Sequence, residues 1–167
     1  MNLKDLLSGD VIEALAKSTG ASKKDTSSVL ANALPTLMKS MASNASSKEG
    51  AKSLEKALDD HTSGDALTTL LDKIDLEDGA KILGHILGSD SDSVKSTVSK
   101  KSGVDSELTT TILTSVAPLL LSALGSEKKK SNTKADGLTD LLGGFLGKDD
   151  DGIDLGDIIS FAGKLFK

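Results

Sequence analysis

Pro35 and Pro118 are the only prolines in the chain, and they sit 83 residues apart in matching surroundings. Sliding residues 11–42 onto 94–125 without a gap pairs Val11 with Val94, Gly20 with Gly103, Leu30 with Leu113 and Leu37 with Leu120. Seven of the 32 paired positions are identical and ten are apolar in both copies, so the fold has to build the same unit twice. Each copy reads as a helix, a stopping glycine and a second helix with proline inside it. Proline deletes a backbone donor and its ring presses on the carbonyl four residues back. The spacing therefore predicts a bent or split helix at Pro35 and again at Pro118.

Aliphatic residues at helical spacing carry the rest of the pattern. Leu3 to Leu7 forms a first short helix, and Asp10 is the expected N-cap of a second, running to Ser18. Gly20 can stop that helix in the left-handed conformation, and Ser22 caps the next, with Asp25 at the capping-box position. Between the copies, Ala51–Leu58, Ala66–Ile74 and Ala80–Leu87 mark three amphipathic segments. Asp75-Leu76-Glu77-Asp78 suits the N-terminus of the third. Short polar joints between successive helices predict antiparallel neighbours.

Composition narrows the chemistry. There is no Trp or Tyr, and all three Phe lie in the last 23 residues, so the main core is aliphatic. Without cysteine there can be no disulfide, thiolate metal site or cysteine nucleophile. The first residues turn polar at Ser8-Gly9-Asp10 before a signal-peptide core could form, which predicts a cytoplasmic location. Even the longest runs without a polar side chain, such as Val116 to Leu121 and Leu141 to Gly147, are far short of the ~20 residues a membrane-spanning helix needs. All 20 basic residues are lysine, and the missing arginine fork weakens any case for sequence-specific DNA reading.

Asp78-Gly79-Ala80-Lys81-Ile82-Leu83-Gly84-His85-Ile86-Leu87-Gly88, then Gly103, then Val116-Ala117-Pro118-Leu119-Leu120-Leu121 closing at Leu124-Gly125, resembles the bacterial DUF937, or YidB-like, family. The resemblance covers residues 1–125, and the Gly/Leu-rich Leu141 to Gly147 is similar to tails found there. It implies an all-helical fold likened to homeodomain helices, an unassigned function and no catalytic residue to carry over. The domain reading follows: a helical bundle over 1–125, a linker over 126–136 holding Lys128-Lys129-Lys130, and a tail over 137–167.

No reaction centre is legible. His61 and His85 are the only imidazoles, on different expected helices; His85 reads as a structural histidine bonded to a backbone carbonyl and His61 as a solvated helix end. Only a cleft joining both with carboxylates would change that reading. Asp149-Asp150-Asp151-Gly152 lacks the alternating oxygen ligands of a calcium loop and reads as a solvated hinge. Gly84/Gly88 and Gly143/Gly147 read as packing or capping glycines. No metal, cofactor or catalytic residue is expected.

Two functional readings remain. The leading one is a non-enzymatic protein that binds a partner or itself. Its interaction residues are Leu155, Ile158, Ile159, Ala162, Leu165 and Phe166, one apolar face of a terminal helix capped by Asp154. A weaker variant has the tail meet a membrane surface, with Lys128–Lys130 nearby, against which the acidic 149–151 run acts. The alternative is a DNA-associated helix–turn–helix over residues 16–25, with Lys23 and Lys24 as the contacting residues. The net charge of residues 11–42 is only +2, and the lysine pair is replaced by Ser106 and Glu107 in the second copy.

Overall fold

The computed structural model describes residues 3–62 and 67–146. Among them there is no strand, as expected of an all-α chain. A 3₁₀ turn at Leu3–Leu7 leads into α1 (Gly9–Thr19), α2 (Lys23–Ala45), α3 (Lys48–His61) and α4 (Leu67–Asp72). Then follow α5 (Leu76–Leu87), α6 (Ser91–Ser102), α7 (Ser106–Ser131) and α8 (Leu138–Leu146).

The two repeats fold alike. α1 ends at Gly20 (φ 76°, ψ 9°) and α6 at Gly103 (φ 71°, ψ 18°), both in the left-handed region that a Cβ disfavours. Two residues later the next helix is capped in each copy. The Ser22 hydroxyl accepts from the Asp25 amide at 3.0 Å, and the Asp105 carboxylate accepts from the Glu107 and Leu108 amides at 3.0 and 3.2 Å. α1 packs on α2 and on α7, while α6 packs on α7 and on α2. Each short helix thus braces both long ones, which places α2 and α7 at the centre. Their apolar sides supply Leu30, Leu34, Leu37, Ile112, Leu113 and Leu119, all at most 2% exposed.

Three local expectations are corrected. Ser8, not Asp10, caps α1: its backbone is extended and its hydroxyl accepts from the Val11 amide. Of the bent or split helix expected at each proline, the split does not occur. α2 and α7 each run on for about three turns beyond proline, because packing on several sides outweighs one lost hydrogen bond. The stretch 126–136 is not a plain linker. α7 continues to Ser131, Asn132 closes it in the left-handed region, and Ala135 is buried. The reason is Lys128, whose side chain is only 9% exposed and reaches Asp59 Oδ1 at 2.7 Å and Glu55 Oε1 at 3.5 Å on α3. It lies on the face of Leu121, Leu124 and Gly125, with its stem against the bundle and its ammonium neutralised by two carboxylates.

Proline and glycine act together where α5 meets α7. Pro118 has no amide hydrogen for the Thr114 carbonyl, which is left without its helical donor. Gly79 on α5 lies directly on that carbonyl, so close that a methyl group in its place would collide with the oxygen. The Cα hydrogens of glycine can face a carbonyl oxygen at such range, a weak interaction that a side chain would forbid. Gly125 plays a similar part against Leu58 and Thr62 at the end of α3. These approaches draw α3 and α5 onto the central pair.

By length and apolarity, α7 is the one described helix that could cross a membrane, but 78% of that window is buried inside the bundle. It is the central core helix.

Candidate functional site

α3 and α5 flank a cleft whose floor is apolar and whose rim is polar. α3 starts at Ser47, whose hydroxyl accepts from the Gly50 amide at 3.0 Å. α5 starts at Asp75, whose carboxylate accepts from the Glu77 and Asp78 amides, and stops at Gly88 (φ 55°). On α3, Ser53, Lys56, Asp60 and His61 recur at helical spacing and share one side; on α5, Asp78, Lys81 and His85 do the same. Beneath them Leu54, Ile82, Ile86 and Leu121 form the floor, each at most 6% exposed.

The cleft has two lobes of about 390 and 290 Å³, joined at Ser53, Leu54, His85 and Ile86. The second lobe runs past Met41, Asn44 and Ser47 to Gly88. There Asn44 Nδ2 donates to the Ile86 carbonyl at 2.6 Å, which satisfies an end-of-helix acceptor and ties α2 to α5.

Both histidines bridge the cleft. His85 Nε2 meets Ser53 Oγ at 2.7 Å. His61 Nε2 lies 3.4 Å from Asp78 Oδ2. Ser53 pairs with His85 and His61 with Asp78, so the two walls run antiparallel. His61 Nδ1 must carry a proton, since it contacts the Ala57 carbonyl at 2.8 Å and a carbonyl can only accept. Its Nε2 therefore bonds Asp78 only when the ring is doubly protonated. The backbone-bonded histidine is thus His61 and not the expected His85, which is exposed.

The arrangement that could mark an enzyme is therefore present in outline: two imidazoles and the carboxylates of Asp60 and Asp78 share one cleft. His61 stands at one end and His85 where the lobes join, about 10–12 Å apart along their helices. Among the described residues no carboxylate is bonded to His85, and no three His, Asp or Glu side chains are placed to share a metal ion.

The residues expected to contact DNA are placed otherwise. Lys23 Nζ lies 2.7 Å from Glu13 Oε2, and Lys17 Nζ lies 2.8 Å from Glu13 Oε1. Lys24 is exposed, but the rest of α2 is embedded in the bundle and offers no continuous face to a DNA groove. The hydrogen bond from Lys17, then that from Lys23, lowers the Glu13 carboxyl to about 2. The tie between α1 and α2 is thus present above the ordinary glutamate range and is lost as pH falls towards 2. Replacing Lys23 with methionine is expected to raise the Glu13 pKa, as followed by the side-chain carboxyl carbon in an NMR titration. An unmoved titration would show that the pair does not persist in solution.

The tail residues Leu155, Ile158, Ile159, Ala162, Leu165 and Phe166 lie outside the described residues, as do Asp149–Asp151. Of the glycine pairs, Gly88 caps α5, whereas Gly84 and Gly143 are exposed, and a methyl group added at either would meet nothing within 4 Å. Sequence reasoning missed Ser53, Lys56, Asp60, Asp78 and Lys81. Their spacing along each helix is visible, but not the pairing of the two helices across a gap.

The family model for DUF937, a bacterial protein of unknown function, matches residues 2–127. No curated protein and no solved structure matches the chain.

Proposed function

The chain belongs to the DUF937 family, and from that premise we propose that it is a non-enzymatic docking protein whose α3–α5 cleft receives an amphipathic helix from a protein partner or a second copy. One observation carries this reading: an elongated cleft between two antiparallel helices, apolar below and polar along both rims. From the Ser47 end to the His61 end it is about 21 Å long, room for roughly four turns of helix. Helix-in-groove recognition needs that combination, apolar anchors below and hydrogen-bonding groups at the edge. The two histidine bridges are rim contacts, the Ser53–His85 one exposed and the His61–Asp78 one half-buried, each worth about 0–1 kcal/mol, so an incoming helix can displace them at small cost. The DNA alternative has no comparable support, with Lys23 held by Glu13.

The test uses the two imidazoles, both of which line the cleft. A peptide of residues 153–167 serves as the amphipathic probe, added to the full chain carrying Ile158→Asp and Ile159→Asp. The His61 and His85 ring resonances are expected to shift saturably. A scrambled peptide that spreads its apolar residues around the helix should leave them in place. Equal responses to both peptides, or none, would remove the docking reading.

A further inference from the structure

We propose that the cleft's resident occupant is the chain's own C-terminal segment, residues 155–166, docked in cis as a cover that a partner helix must displace. This deepens the docking reading and rests on it. The first argument is where the described chain ends. α8 packs on α2 and α3, with Leu138 and Leu142 buried and Thr139 Oγ1 donating to the Ala45 carbonyl at 3.2 Å. Ala45 lies one residue beyond Asn44, which lines the second lobe. From Thr139 to Leu146, α8 extends only about 10 Å, so the described chain ends within about 10 Å of the Thr139–Ala45 contact.

The second argument is length. Residues 147–154 can span up to about 26–29 Å when extended, enough to carry the chain from α8 to the Ser47 end of the cleft. Residues 155–166 as a helix would measure about 18 Å, against about 21 Å of cleft. The third is chemistry. Leu155, Ile158, Ile159, Ala162, Leu165 and Phe166 share one side at helical spacing, and the cleft floor of Leu54, Ile82, Ile86 and Leu121 is aliphatic. The polar rim, carrying Lys56, Asp60, Asp78 and Lys81, offers both signs of charge to the tail's Asp157 and Lys164. Tethering makes the local concentration of the segment millimolar, so even weak docking keeps the cleft covered.

The chain has no cysteine, so a single nitroxide can be placed at will. Attached to the full chain at Ser160→Cys, it is expected to broaden both histidine ring resonances, with sharpness restored by ascorbate. Adding Ile158→Asp and Ile159→Asp to that labelled chain should remove the broadening. A label at Lys24→Cys, about 30 Å along α2 from Ala45, should leave both signals sharp. Sharp signals with the Ser160→Cys label would overturn the proposal, as would broadening that survives the double aspartate change. Diluting the labelled chain into excess unlabelled protein tests the direction. Broadening of the unlabelled majority would mean docking between copies and would overturn the cis arrangement. The peptide titration on the tail-disabled chain is independent of the tether, so a cis failure with peptide binding intact leaves the docking reading standing.

Discussion

Gly79→Ala is expected to destabilise the protein by about 3 kcal/mol, while Gly84→Ala, five residues on in the same helix, stabilises it by about 0.5–1 kcal/mol. The difference in sign follows from what each methyl would meet. At position 79 it meets the Thr114 carbonyl, which is fixed by the α7 backbone and cannot rotate away. α5 would have to lift off α7, opening space beneath Ile82, Leu83 and Ile86. At position 84 the methyl enters open solvent, and only the backbone entropy of glycine is removed. For a chain of this size the pair should separate by roughly 7–16 °C in melting temperature. Two variants that melt together would show that the close approach at Gly79 is not what seats α5.

The second large effect concerns Lys128. Neutralising both of its partners, Glu55→Gln with Asp59→Asn, is expected to cost about 2–3 kcal/mol by denaturant unfolding. Lys128→Met is expected to stay within about 1 kcal/mol of the parent. The asymmetry comes from burial. The Lys128 side chain is 9% exposed and would be left as a nearly buried cation without a counterion. Asp59 and Glu55 are 52% and 30% exposed, so water can serve them once the lysine is gone. Methionine meanwhile keeps the stem's packing. If Lys128→Met proved the more damaging change, the ion pair itself would be holding α7 to α3, against this assignment.

How far these features can be read from the chain alone depends on the range of the interaction. The helices, the left-handed glycines at 20 and 103 and the cap at Ser22 follow from neighbours within a few residues, and they are legible in the sequence. The doubling of the unit is visible because both copies keep glycine and proline in register. Three things are not visible. The prolines predict a bend or a break in α2 and α7, and no break occurs, because local strain is legible in a sequence and compensating packing is not. Lys128 reads with Lys129 and Lys130 as solvated charge, although its spacing from Leu121, Leu124 and Gly125 already puts it on the buried side. The cleft leaves no local signal at all. Ser53 with His85 and His61 with Asp78 are separated by 32 and 17 residues, and only the packing of α3 and α5 on α7 brings them opposite one another.

The central claim is that the space between α3 and α5 is a seat for a helix, and a variant that fills the seat tests it most directly. Ser53→Phe places an aromatic ring where the two lobes join. In the tail-disabled full chain it should abolish binding of the 153–167 peptide, read from the His61 and His85 resonances and from the heat of mixing. The melting temperature should stay within a few degrees of the parent, since Ser53 is only partly buried at the rim. Peptide binding of unchanged affinity in a folded Ser53→Phe chain would place the docking surface elsewhere and contradict the account.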